Sequence, residues 1–366
     1  MNRGRERVVA AMSGGVDSSV AAALMLREGF EVVGVTLRLQ SCSEITVERS
    51  CCGQAATDRA GMVSGRLGIP HYILDCRKYF ENEVLRHSWR EYNRGRTPNP
   101  CVICNEKIKF GFLLDFARSI GAGRIATGHY ARTETDSTGA ITLHRGSFAP
   151  KDQSYFLFSL DRRRLASAIF PVGRMSKEQV RAISNDLGFQ DGFMESQDAC
   201  FAAKGQCYAE ILRQRFHGRA KHGYFIDGSG TAVGRHTGIH QFTVGQGRKL
   251  GLAMGERCWV RSIDSKTGAV CVTNQCGDLF SHGLIASLVS WNAPPRGGNP
   301  VECSIQVRYR QEAVPATLES IGRNLVRAVF QKPIRAVTPG QAAVFYEGDR
   351  VLGGGWIQSS LQGDFA

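Results

Sequence analysis

No part of this sequence approaches the ~18 uninterrupted apolar residues that a membrane-spanning helix requires. The basic start, MNRGRERVVAAM, runs straight into a strand-like segment. It lacks the longer apolar region and small-residue cleavage site of a signal peptide, so a cytoplasmic protein with no membrane attachment is expected. No internal repeat and no low-complexity tract interrupts the chain. The Walker signature G-x-x-x-x-G-K-[ST] is absent throughout. Acidic residues are in short supply, with 33 Asp and Glu against 46 Lys and Arg, which leaves a net charge of +13. That surplus favours a polyanionic partner, because neutralised phosphates release counterions, although it would also serve solubility alone. The chain has twelve cysteines but no export signal, and it is far larger than a disulfide-stapled mini-protein. Reduced thiols, a metal site or thiol chemistry remain.

A length of 366 residues exceeds one compact core and points to two or three domains. A hydrophobic content of 42% with 22% charged residues is that of an ordinary globular chain. Over the first 130 or so residues, strand-like and helix-like segments alternate. RVVAAM is followed by SGGVDSS and the apolar-periodic SVAAALMLREGF. EVVGVTL, the helical AATDRAGMVSGRLGI, the strand HYILD and finally RIATGHYA come after it. This alternation predicts an α/β domain built on a parallel sheet covered on both faces. Beyond Phe201 the texture changes. CYAEILRQRF still reads as a helix, but from Gly223 short alternating runs and glycine turns dominate, including a hairpin turn at Lys266–Gly268. The expected architecture is an N-terminal parallel-sheet domain over 1–210, a small β-rich central domain over 211–281 and a C-terminal β-barrel domain over 282–366. The join falls near His282, and WNAPPRGGNP forms a loop inside the last domain.

SGGVDSS, Ser13 to Ser19, carries the strongest chemical signal. Between a strand and a helix, free backbone N–H groups and the helix dipole favour an anion. Gly14 and Gly15 allow close approach of phosphate. Ser13, Ser18 and Ser19 add hydroxyl donors, and Asp17 can orient the loop or help hold Mg²⁺. The Walker lysine serves the β- and γ-phosphates of a transferred phosphoryl group, so a loop without it suits cleavage between the α- and β-phosphates. The bland alternative is a glycine turn with a serine cap. The heptapeptide resembles the PP-loop of the ATP-pyrophosphatase superfamily, whose members adenylate a substrate and release pyrophosphate.

TPNPCVICNEKIKF places Cys101 and Cys104 two residues apart, and ESQDACF supplies Cys200 far downstream. Thiolates can receive sulfane sulfur, carry it and attack activated carbon. The competing readings are half a zinc site, a redox pair and buried cysteine acting as a small hydrophobe. No second C-x-x-C or H-x₃₋₅-H pair follows at finger spacing. Together with ATGHYAR (126–132), KDQSYFL (151–157), FPVG (170–173), GQGRKLGL (245–252), RYR (308–310) and TPGQAAVFY (338–346), these segments resemble the bacterial tRNA 2-thiouridylases over nearly the whole chain.

The resemblance implies a nucleophile at Cys104 and a persulfide carrier at Cys200. It implies ATP contacts from Ala11, Met12, Ser13, Gly14, Gly15, Val16, Asp17, Ser18, Leu37 and Gly128. Asn99, Pro100 and Cys101 would line the pocket for the target base. His129, Lys151, Asp152, Gln153, Arg308, Tyr309 and Gln341 would meet tRNA. Physically, Lys151 and Arg308 can pair with phosphate, and Tyr309 offers a face to a splayed base. Many members carry Asp where this chain has Cys101. With Cys104 and Cys200, that thiol could complete a three-thiolate set for a [4Fe–4S] cluster with one iron open to sulfide. The cluster and persulfide routes both stay open, and Cys51, Cys52 and the remaining cysteines are read as structural. The implied activity is ATP- and Mg²⁺-dependent 2-thiolation of the wobble uridine of Lys-, Glu- and Gln-type tRNA. Sulfur would come from a cysteine desulfurase or a relay protein. Two rivals are a PP-loop ligase for a small molecule, which has no use for the cysteines, and a tRNA-binding protein with a structural metal, which leaves SGGVDSS unexplained.

Overall fold

The computed structural model describes residues 5–40, 54–189, 207–252, 255–293 and 299–362. The chain divides into two compact units that do not follow chain order. The first comprises Met1–Glu83, Cys101–Lys204 and Asp349–Val351; the second comprises Val84–Pro100, Gly205–Gly348 and Leu352–Ala366.

In the first unit, β1 (Arg7–Ala11), β2 (Glu31–Arg38), β3 (His71–Asp75), β4 (Arg124–Ala126) and β7 (Ala168–Ile169) form a parallel sheet in the order β3-β2-β1-β4-β7. β1 occupies the middle. Its Val8 and Val9 are fully buried, as a strand covered on both faces must be. Helices α1 (Val16–Arg27) and α2 (Gln54–Leu67) cover the sheet, packing Ala22, Met25, Ala60 and Val63 against Val8, Ala10 and Val32. The α/β expectation holds here. The alternating pattern did not announce the antiparallel hairpin of β5 (Ala131–Thr135) and β6 (Ile141–Arg145), whose β6 pairs with Arg350 through His144.

From β1 the chain builds outward through β2 and β3, then returns to the opposite side of β1 at β4. The loops leaving β1 and β4 therefore diverge at the carboxyl ends of adjacent strands, the place where open α/β sheets form a crevice. SGGVDSS follows β1, and Gly128 follows β4.

In the second unit, β8 (Gly223–Ile226), β9 (Ala232–His236), β10 (Trp259–Ile263) and β11 (Val270–Thr273) form a sheet in the order β10-β11-β8-β9. Phe225, Phe242, Val260 and Val272 make its small core. The anticipated hairpin turn joins β10 to β11. Six further strands follow: β12 (Phe280–Trp291), β13 (Val301–Gln306), β14 (Val314–Gly322), β15 (Leu325–Arg335), β16 (Ala342–Glu347) and β17 (Arg350–Leu361). They run β12-β15-β14-β13-β16-β17, and pairing of β12 with β17 closes a barrel around Leu284, Ile305, Phe345 and Ile357. Among the described residues no helix is long and apolar enough to cross a membrane.

Candidate functional site

The phosphate loop is shaped by one left-handed residue and one helix start. Gly14 has φ +69°, a conformation that side chains resist. A Cβ placed there would sit 2.1 Å from the carbonyl oxygen of Ala56 in α2. α1 begins at Val16, three residues ahead of the apolar run that signals it in the sequence, so the second half of SGGVDSS is the helix's first turn. Its N-cap, Gly15, supplies no side-chain hydrogen bond, and the first-turn N–H groups keep their capacity for an anion. The serines are mostly occupied within the loop. Ser18 and Ser19 donate their hydroxyls to Gly15 O at 2.9 and 3.0 Å, and Ser13 N donates to Ser18 Oγ at 3.2 Å. Backbone N–H groups, rather than the hydroxyls of Ser18 and Ser19, are therefore the loop's main donors. Gly128 lies directly against this turn, where a Cβ would come within 2.7 Å of Asp17 C and Ser18 N. Of the other residues expected at the nucleotide, Ala11 ends β1 and Leu37 lies half-buried near the end of β2. Met12 is buried in the core, where its carbonyl accepts the Thr36 hydroxyl at 2.8 Å.

Asp17 is not an open carboxylate. Its Oδ1 accepts from Lys177 Nζ at 2.6 Å and from Tyr130 Oη at 2.8 Å. Lys177 is 4% exposed and begins the helix Lys177–Asp186, which Ser176 and Gln179 cap reciprocally. The pair offsets the negative charge that Asp17 brings to the loop. Sequence reasoning missed Lys177. The S-K-E-Q capping pattern could have located its helix start, but not its partner 160 residues away.

Cys101 and Cys104 lie one turn apart in a continuous helical run from Pro100 to Ser119, whose Cys104–Phe112 stretch is widened to π geometry. Both are half-buried. Asn105 donates to Phe156 O at 3.0 Å, and Phe110 packs against Phe170, its ring centroid 6.0 Å away. Residues 101–110 thus meet the KDQSYFL, ATGHYAR and FPVG segments within the first unit. Cys76 caps the short helix Arg77–Phe80. Burial, with a smaller push from the charge of Cys104, raises its thiol to about 12, which leaves it protonated and unreactive at neutral pH. Burial raises Cys303 similarly, to about 12. Cys51, Cys52 and Cys200 lie outside the described residues.

The residues expected at tRNA fall into two groups. In the first unit His129 is buried; burial, then the charge of Lys109, hold it well below its usual pKa and so neutral. Lys109 Nζ lies 3.4 Å from Nε2 and Thr127 Oγ1 lies 2.8 Å from Nδ1. The ammonium can only donate, so Nδ1 carries the ring proton. Asp152 closes its own loop, accepting from Gly146 N, Ser154 N and Arg145 Nη1. Gln153 Oε1 accepts from Tyr130 N at 3.0 Å. Lys151 ends a single 3₁₀ turn beside them. In the second unit, Asn99 is buried, and Gln341 donates to Thr97 O and Pro98 O at 3.1 and 3.0 Å, bracing the segment that enters the cysteine helix. Arg308 donates to Thr338 Oγ1 at 3.2 Å, and Arg310 lies over the Tyr309 ring at 5.2 Å in a turn where it takes φ +63°. Asp152, Gln153 and Gln341 are thus tied to the protein's own backbone. Among the described residues, no three His, Cys, Asp or Glu side chains are grouped to hold a metal.

Three family profiles match the chain. Residues 6–204 match a tRNA methyl transferase HUP domain, 211–274 a tRNA methyl transferase PRC-barrel domain, and 281–357 an aminomethyltransferase beta-barrel domain. Among curated proteins, the tRNA-specific 2-thiouridylase MnmA of Pelotomaculum thermopropionicum is 44% identical over 366 residues, covering 99% of each chain. Its namesake in Carboxydothermus hydrogenoformans is 43% identical over 98% of this chain and 99% of its own. That of Geotalea uraniireducens is 41% identical over 98% and 97%.

Proposed function

The chain belongs to the tRNA-specific 2-thiouridylase family, and from that premise we propose that it uses ATP to replace the 2-oxygen of the wobble uridine in Lys-, Glu- and Gln-type tRNA with sulfur. The observation that carries the reading is the lysine-free phosphate loop at the reversal point of the sheet, in the same unit as two thiols one helical turn apart. Two matching profiles bear a methyl-transfer description. Methyl transfer needs neither a triphosphate loop nor paired thiols, whereas nucleotide-driven sulfur transfer uses both.

On this reading, residues 1–210 form the catalytic domain, with 211–281 and 282–366 as the central and barrel domains, and the enzyme works in the cytoplasm. The flipped uridine's O2 attacks the α-phosphate and pyrophosphate leaves, which makes C2 electrophilic. The terminal sulfur of a Cys200 persulfide, loaded by a cysteine desulfurase or a relay protein, attacks C2 and expels AMP. The Cys104 thiolate then attacks the Cys200 sulfur, releasing 2-thiouridine and leaving a Cys104–Cys200 disulfide for an external thiol to reduce. Asn99, Pro100 and Cys101 border the base. His129, Lys151, Arg308 and Tyr309 bind tRNA, and Asp152, Gln153 and Gln341 shape the surfaces that do so. Magnesium enters with the nucleotide, and Asp17 holds the loop rather than the metal.

Pyrophosphate release measured with and without tRNA tests the assignment. It should depend on tRNA and be accompanied by 2-thiouridine, and tRNA-independent release would favour a small-molecule ligase. Cys104→Ala and Cys200→Ala should each abolish thiolation. Under anaerobic conditions Cys101→Asp should retain activity without iron if a persulfide carries the sulfur. Joint loss of iron and activity in Cys101→Ala would instead establish the [4Fe–4S] route.

A further inference from the structure

We propose that Arg59 is a phosphate-binding residue of the ATP site and supplies the cation that a Walker lysine would supply. The inference rests on the ATP reading above. α2 lays one face on the phosphate loop. Ala56 presents its carbonyl against Gly14, Ala60 and Val63 are buried beneath, and Arg59 shares that face at the intervening turn. Its Nε donates to Gly14 O at 3.1 Å, within the turn that the phosphates would enter. The bond masks a carbonyl oxygen that would repel an anion, and it holds the guanidinium at the loop with its two Nη groups as further donors. The charges agree. Lys177 offsets Asp17, so the positive charge of Arg59 adds to the field of the uncapped α1 terminus instead of being consumed by a carboxylate. A planar cation fixed beside the loop suits the β- and γ-phosphates, which leave together as pyrophosphate.

A residue that merely staples the loop would affect every adenine nucleotide alike, whereas a ligand of the outer phosphates affects ATP and spares AMP. Calorimetric affinities for ATP and AMP should therefore be compared in wild type, Arg59→Gln and Arg59→Lys. Glutamine can keep a neutral donor to Gly14 O, and in that variant the ATP-to-AMP affinity ratio should fall at least tenfold. Lysine keeps the charge without the fork and should fall between. It carries the test if the glutamine variant does not fold. An unchanged ratio, with both affinities lost or both kept, overturns the role of Arg59. Failure of wild type to bind ATP overturns the nucleotide reading instead.

Discussion

Asp17 sits in the loop proposed to take the nucleotide's phosphates, and a buried lysine pairs with it. Breaking a buried pair by removing one partner costs about 3–5 kcal/mol, because the other charge is left stranded. Lys177 is almost fully buried and Asp17 is 20% exposed, so the lower end applies. Lys177→Met should lower unfolding stability by about 3 kcal/mol in urea titrations. It should also weaken ATP binding at least tenfold, since an unpaired carboxylate then faces the phosphates. Unchanged ATP affinity in a folded variant would show that Lys177 serves stability alone. The loop's residue types were legible because glycine and serine clustering has local causes. The lysine that pairs with Asp17 was not, because proximity across 160 residues leaves no local pattern.

At the scale of elements, the strand–loop–helix unit depends on α2 as much as on its own residues. Gly14 combines a left-handed backbone with contact against Ala56, whereas Gly29, at φ +88°, faces open space. Gly29→Ala should therefore cost only the backbone strain, about 1 kcal/mol, and leave nucleotide binding intact. Gly14→Ala should cost more, abolish ATP binding, and show both effects in paired thermal melts and calorimetry. Equal behaviour of the two variants would mean that α2 yields freely. The alternation of apolar runs exposed β1, β2, β3 and both covering helices. It did not expose the β5–β6 hairpin or the π-widened turn at Cys104, whose geometries depend on packing partners.

Across the whole molecule the excess of positive charge should appear as salt dependence. The logarithm of tRNA affinity should fall linearly with the logarithm of salt concentration. Arg308→Ala should reduce that slope by about one if its guanidinium meets a phosphate. Arg308 also donates to Thr338 in the second unit, so an unchanged slope with lower stability would identify it as a strut.

The α/β class, the β-rich remainder, the glycine–serine loop and the paired cysteines were legible before any fold was known, because each is written in local periodicity or in residues a few positions apart. Which groups can act depends on the folded neighbourhood. It engaged Asp17 with Lys177, turned the Ser18 and Ser19 hydroxyls onto their own backbone, buried His129 as a neutral ring, and brought Arg59 to Gly14. One cause underlies all four. Charge and hydrogen-bonding capacity are set by what lies within a few ångströms, and for buried polar groups those neighbours come from distant parts of the chain or from the loop's own folded backbone.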